Sequence, residues 1–295
     1  MHYYGMLWQR LVNTGRLVIN IVLAFVFMIL SFSIKNPVLP KTVAYGFVRE
    51  AAKKNLELQT RNWLQIQGHH FTVKYTHKDE EVAQMVLNTA EEAYSSVNNM
   101  LEYNHQEPIP VVIYPNRRSL GKSFGWDADE SAMGVYWAGV IRILSPNEWI
   151  YGKEGYEMTR YFRQNGPMTH EYAHLVVDYK TRGNYPRWFT EGVAQLVEKQ
   201  ITGFQFAPVR ATEDWYSIKE MDRGFDELSD QSLAYGQSLA MIEFLVEEYG
   251  HEKLQGIMDR LGEGKTISGA FIHEIGINLE QFEKSFKEWM LVREE

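Results

Sequence analysis

The first long feature in the hydrophobic pattern is an unbroken one. After Arg10 and Arg16, residues 17–34 ("LVINIVLAFVFMILSFSI") run for eighteen positions without a charge. That length suits a single helix crossing a bilayer. The following "SFSIKNPVLP" offers no small-residue cleavage site of the A-x-A kind. An uncleaved transmembrane signal anchor is therefore expected over 17–34, behind a short basic tail at 1–16. Lys35, Lys41, Arg49, Lys53 and Lys54 follow the span, which would favour a cytoplasmic domain. A short basic tail before a first apolar segment is nevertheless the usual signal-anchor layout, and large domains translocate with little regard for charge. The expectation is a single-pass cell-membrane protein with its large domain outside the cytoplasm. Residues 35–64 read as a tether: the prolines of "NPVLP" cannot continue a helix. "KTVAYGFVREAAKKNLELQTRNWL" is mildly amphipathic, fit for a stalk or for packing on the domain.

Beyond this the period changes. In "HHFTVKYT" the alternation of Phe71, Val73 and Tyr75 predicts a strand. Val82, Val86, Ala90, Ala93, Val97 and Leu101 then recur on one face of a long helix. "IPVVIYP" reads as a short buried strand, and "SAMGVYWAGVIRILSP" as two strands meeting near Ala138 and Gly139. After Pro146 helical periods take over, at about 167–181, 187–200, 232–249, 251–261, 265–274 and 278–291. A strand-rich part followed by a helical part predicts an α+β fold. The domain is expected over 65–295, with a mixed twisted sheet lobe at 65–166 and a mainly helical lobe at 167–295. Phe282, Phe286 and Trp289 are placed to close the helical lobe.

Composition narrows the chemistry. The 295 residues are 45% hydrophobic and 23% charged, as in ordinary globular proteins. The net charge of -8, with basic residues scattered among acidic ones, speaks against a nucleic-acid partner. There is no cysteine, so disulfides, thiolate metal sites and a cysteine nucleophile are excluded. A metal would have to be held by His, Asp or Glu.

One segment supplies such ligands. In "GPMTHEYAHLVVDYK", residues 166–180, Pro167 suits a helix start and Gly183 a stop. Residues four apart share a helix face, so His170 and His174 can point at one atom. Zinc accepts imidazole nitrogen, and a catalytic zinc has three protein ligands with one position open. Glu191 in "PRWFTEGVAQLVEK", seventeen residues after His174 at the start of the next helix, is the third candidate. Gly192 beside it is expected to let the two ligand helices approach closely. Glu171, next to the first histidine, stands where a general base would take a proton from activated water.

"HEYAH" followed by "WFTEG" resembles the gluzincin metallopeptidases, the group of thermolysin and the zinc aminopeptidases, and most of all their bacterial peptidase MA-like branch. The resemblance runs from "HHFTVKY" to the C-terminus. It implies a thermolysin-like catalytic core, one zinc per chain on His170, His174 and Glu191, and Glu171 as the base. It also implies a peptide or protein substrate lying along an edge strand near "MGVYWAGVIRIL". The glycine-rich exopeptidase motif of the aminopeptidases is absent from the sequence, which favours an endopeptidase.

Tyr235 in "LAYGQS" resembles the tyrosine of that family's similar motif and is the candidate donor to a developing oxyanion; a core aromatic is the competing reading. Asp178 could support an imidazole from one turn away, or simply end the helix in solvent, and Gln195 is a similar candidate. The other histidines, among them His69, His70 and His105, read as surface or packing residues. The expected function is membrane-anchored peptide hydrolysis, and the rival is a zinc-binding, membrane-tethered scaffold without turnover.

Overall fold

The computed structural model describes residues 39–125, 132–206 and 214–293. The anchor expected at 17–34 and the basic tail lie outside these residues. Among the described residues no helix is long and apolar enough to cross a membrane.

Strands β1 (Leu64–Gln67), β2 (Phe71–Tyr75), β3 (Ile109–Tyr114), β4 (Gly134–Trp137) and β5 (Val140–Leu144) form a mixed sheet in the order β1-β2-β3-β5-β4. The β1/β2 and β4/β5 pairs are antiparallel, and β2/β3 and β3/β5 are parallel, with Val111 opposite Ile141. Parallel β2 and β3 need a long crossover, and α2 (Glu80–Leu101) supplies it. Its six periodic apolar residues are all buried. β4 and β5 meet in a two-residue turn at Ala138 and Gly139, both with positive φ, a geometry that matches strand twist.

Alternation along the strands sends side chains to two cores. Phe71, Val73, Val111, Ile113, Ile141 and Ile143 face α2 and the helical lobe. Val112, Tyr114, Val140 and Leu144 face the other way, where Leu56 of α1 (Leu39–Gln59) and Leu120 of α3 (Arg117–Phe124) cover them. Of the two forms open to the 35–64 segment, its helix takes the packed one. β5 is buried throughout because both faces are covered.

The remaining elements are α4 (Gly155–Asn165), α5 (Met168–Thr181), α6 (Arg187–Thr202), α7 (Ile218–Gly224), α8 (Gln231–Tyr249), α9 (His251–Gly262), α10 (Ile267–Ile275) and α11 (Leu279–Arg293). The architecture is thus α+β, a mixed sheet lobe joined to a helical lobe. α5 touches α2, α6, α9 and β4, which is why it is buried on nearly every side, its polar residues included. Its left-handed end falls on Arg182, φ 57°, as well as on the expected Gly183, φ 75°. Phe244 of α8 meets Phe282 and Phe286 of α11 at 5.2 and 6.0 Å between ring centres, so the last helix does close this lobe.

Among the described residues, the strand β1 and the helices α3, α4 and α7 escaped the sequence pattern. β1 has four residues, and the three helices bury only one or two residues apiece. A stripe that narrow gives no readable period.

Candidate metal centre

His170 and His174 stand one turn apart on α5, their rings edge to face at 4.6 Å between centres. Their Nε2 atoms lie 3.0 Å apart. From the second turn of α6, Glu191 brings Oε2 to 3.4 Å from each of them. Glu191 is 1% exposed, and this oxygen has no hydrogen-bond partner. Its other oxygen is taken: Arg187, one turn earlier on α6, places Nη2 3.0 Å from Oε1.

A buried carboxylate oxygen without a donor is costly, and two imidazole nitrogens facing each other need a proton or a cation between them. A zinc ion meets both demands. With bonds of about 2.0–2.1 Å, neighbouring donors of a tetrahedral site stand about 3.3 Å apart, against the observed 3.0–3.4 Å. Two imidazoles and a carboxylate are also a donor set that suits zinc. The residues present fit the ion.

The far side of each imidazole is held too. His170 Nδ1 lies 3.1 Å from Glu198 Oε2, and His174 Nδ1 lies 2.8 Å from Thr190 Oγ1. When Nδ1–H donates to these oxygens, each Nε2 is left with its lone pair toward the site. Neither reading of Asp178 holds. It is fully buried rather than solvated, and its carboxylate is bonded to Arg49 and Tyr136 rather than to an imidazole. Gln195 also serves elsewhere: its Nε2 donates to the backbone oxygens of Glu191 and Tyr235 at 3.2 and 2.8 Å, tying α6 to α8. Thr190 and Glu198 were visible on the α6 helix, Glu198 two turns past Glu191, but their roles needed the fold.

Gly192 corrects a second expectation. A Cβ there would stand 2.3 Å from Ser238 O and 2.5 Å from Ile242 Cγ1, both on α8. The glycine permits close approach of α6 to α8, rather than to α5. The helix bearing Tyr235 is thereby drawn against the helix bearing Glu191.

Glu171 turns its carboxylate to the sheet edge, where Tyr136 N–H of β4 donates to Oε2 at 2.6 Å. Gly134 of the same strand lies so close that a Cβ would sit 2.8 Å from Glu171 Oε1. Burial pushes the Glu171 carboxyl up to about 7; the Glu191 charge adds to this, while His170 and the Tyr136 amide oppose it. Burial would likewise raise Glu191, but Arg187 and His174 outweigh it and hold Glu191 well below the usual carboxylate range. For His170, burial is outweighed by Glu198 and Glu191, so its pKa rises, whereas in His174 burial prevails and lowers it.

Tyr235 sits in the second turn of α8 with Arg187 Nη2 donating to its hydroxyl at 3.5 Å. Phe225 and Phe206 lie edge-on at 5.3 and 5.8 Å between ring centres. Burial raises its pKa, with the Glu191 charge adding and Arg187 opposing, so the phenol stays protonated at neutral pH. Arg187, which thus joins Glu191 to Tyr235, was the residue most readily missed. Its one sequence signal is an i,i+4 Arg–Glu pair.

The model of the Peptidase MA superfamily matches residues 89–292, a stretch that holds α5, α6 and α8. The chain belongs to this superfamily. Among its relatives is the uncharacterized protein YhcO of Bacillus subtilis, 25% identical over 256 residues, covering 83% of this chain and 74% of that one. A solved structure similar to this Peptidase MA chain is an M1 zinc metallopeptidase from Deinococcus radiodurans, with TM-score 0.40 and 13% identity over 77% of the present chain. The match spans about half the length of that structure (51%).

Proposed function

We propose that the protein is a zinc-dependent peptidase that hydrolyses peptide bonds, with His170, His174 and Glu191 as the ligands of one zinc ion. The observation that carries this is the buried, donorless Glu191 Oε2 facing two imidazole nitrogens at 3.4 Å. Bound zinc supplies Lewis acidity that polarises a carbonyl and makes nearby water more acidic. Glu171 takes the proton of the attacking water and passes it to the leaving amine. Its raised pKa suits both halves of that transfer near neutral pH. The Tyr136 amide keeps the carboxylate at the sheet edge between these events. Tyr235, protonated and next to Arg187, is the donor for negative charge developing on the carbonyl oxygen.

Cleavage within chains is favoured over trimming of ends, because the sequence lacks the glycine-rich exopeptidase motif. The apolar run 17–34 anchors the chain in the cell membrane and the domain works outside the cytoplasm; digestion by added protease on intact cells tests this orientation. The deciding experiment for the chemistry is Glu171→Gln. It should retain about one zinc per chain while hydrolysis of casein or a peptide library falls by at least about a thousandfold. Hydrolysis at the wild-type rate would exclude the mechanism. Zinc bound without hydrolysis by the wild type would point to the scaffold instead.

A further inference from the structure

α1 lies before the stretch that the superfamily model matches, yet it reaches Glu171 through three bonded steps. Glu171 Oε2 accepts from Tyr136 N at 2.6 Å. The Tyr136 phenol donates to Asp178 Oδ2 and accepts from Gly139 N at 2.9 Å. Asp178 is in turn held by Arg49 of α1, whose Nε donates to Oδ2 at 2.9 Å and Nη2 to the backbone oxygen at 2.8 Å.

The clamp is built for precision. The Arg49 guanidinium stacks on Tyr179 at 4.2 Å and faces Tyr45 at 5.1 Å. Tyr45 fills the space above Gly183, where a Cβ would stand 2.4 Å from its ring. Gly139, at the β4/β5 turn, would bring a Cβ to 3.1 Å from Tyr179 Oη and 3.2 Å from Lys53 Cε. α1 therefore braces both the end of α5 and the turn of the hairpin that presents the Tyr136 amide. A fully buried Asp178 without Arg49 would be an uncompensated charge, and the phenol it orients would lose its anchor.

We infer that Arg49 is a positioning residue for Glu171. Acting through Asp178 and Tyr136, it makes α1 a working part of the site rather than a passive stalk. The inference rests on Glu171 being the base of the proposed reaction.

The test compares Arg49→Gln, Arg49→Lys, Tyr136→Phe and the Arg49→Gln/Tyr136→Phe double variant in the full chain. Each is assayed for zinc content, for kcat and KM on a peptide library, and for hydrogen exchange at the Tyr136 amide. Arg49→Gln should keep its zinc and its KM while kcat falls about ten- to a hundredfold, the scale of a small misplacement of a reacting group. Arg49→Lys, which keeps the charge but not the two-pronged grip, should recover part of the loss. The double variant should be no slower than the worse single one, because both act on one chain of contacts. The Tyr136 amide should exchange faster in Arg49→Gln than in the wild type while the α2 amides stay protected. Additive losses, or wild-type kcat with unchanged Tyr136 exchange, would overturn the inference. If Arg49→Gln does not fold, Arg49→Lys carries the same comparison. If the wild type hydrolyses nothing, the peptidase reading fails, and exchange at Tyr136 alone decides whether Arg49 holds that amide.

Discussion

Arg187 grips one oxygen of Glu191 at 3.0 Å and so leaves the other free, aimed at the two histidines. The pair turns a flexible carboxylate into a fixed one. Arg187→Ala should loosen it, let its pKa rise and weaken zinc binding about ten- to a hundredfold, the usual range for groups behind a ligand. Competition with a chromogenic chelator at pH 7 measures this, and unchanged affinity would show that Arg187 does not orient the ligand.

The partners of the imidazoles should matter in the same way. Glu198→Gln weakens the acceptor on His170 Nδ1, and Thr190→Val removes the one on His174 Nδ1. Each should cost about tenfold or more in zinc affinity. Asp178→Asn is the contrast: Asp178 touches neither imidazole, so it should leave the affinity unchanged while lowering stability.

Gly192→Ala should destabilise the fold by about 1–3 kcal/mol, the range for overpacking. Its Cβ meets the backbone oxygen of Ser238, which cannot move aside as a flexible side chain could. Urea titration of the zinc-free chain checks this. A variant as stable as the wild type would mean that α6 and α8 can separate.

His105 gives the stability a pH dependence. Burial lowers its pKa to about 4; Glu107 opposes the shift, and Lys53 and Arg49 add to it. A histidine whose folded pKa lies below its unfolded value binds fewer protons when folded, so stability is present above about 6.5 and drains away as pH falls toward 4. The loss should be about 1–2 kcal/mol after discounting for partial solvent screening. His105→Asn should flatten the change in unfolding free energy between pH 7 and 4, and an unaltered slope would rule His105 out as its source.

Sequence periodicity accounts for much of this. Residues four apart on a helix share a face wherever the helix sits, so the pairing of His170 with His174 follows from local geometry alone. The same holds for the alternation in β2, the buried stripe of α2, and the hairpin turn at Ala138 and Gly139. Glu191 was legible as well, because it lies near the start of the next helix after a short connection.

What periodicity could not supply is the identity of neighbours from other elements. Gly192 reads as a small residue in any fold, and only packing shows that α8, not α5, lies against it. Asp178 and Glu198 are both carboxylates near the ligands in sequence. The rotation of α5 and α6 about their own axes turns Glu198 to His170 and Asp178 to Arg49, 129 residues away. The amphipathic pattern of α1 fits either a stalk or a brace, since one apolar face suits both. Its docking on the sheet and on Asp178 is settled by long-range contacts, and these exist only once the chain has folded.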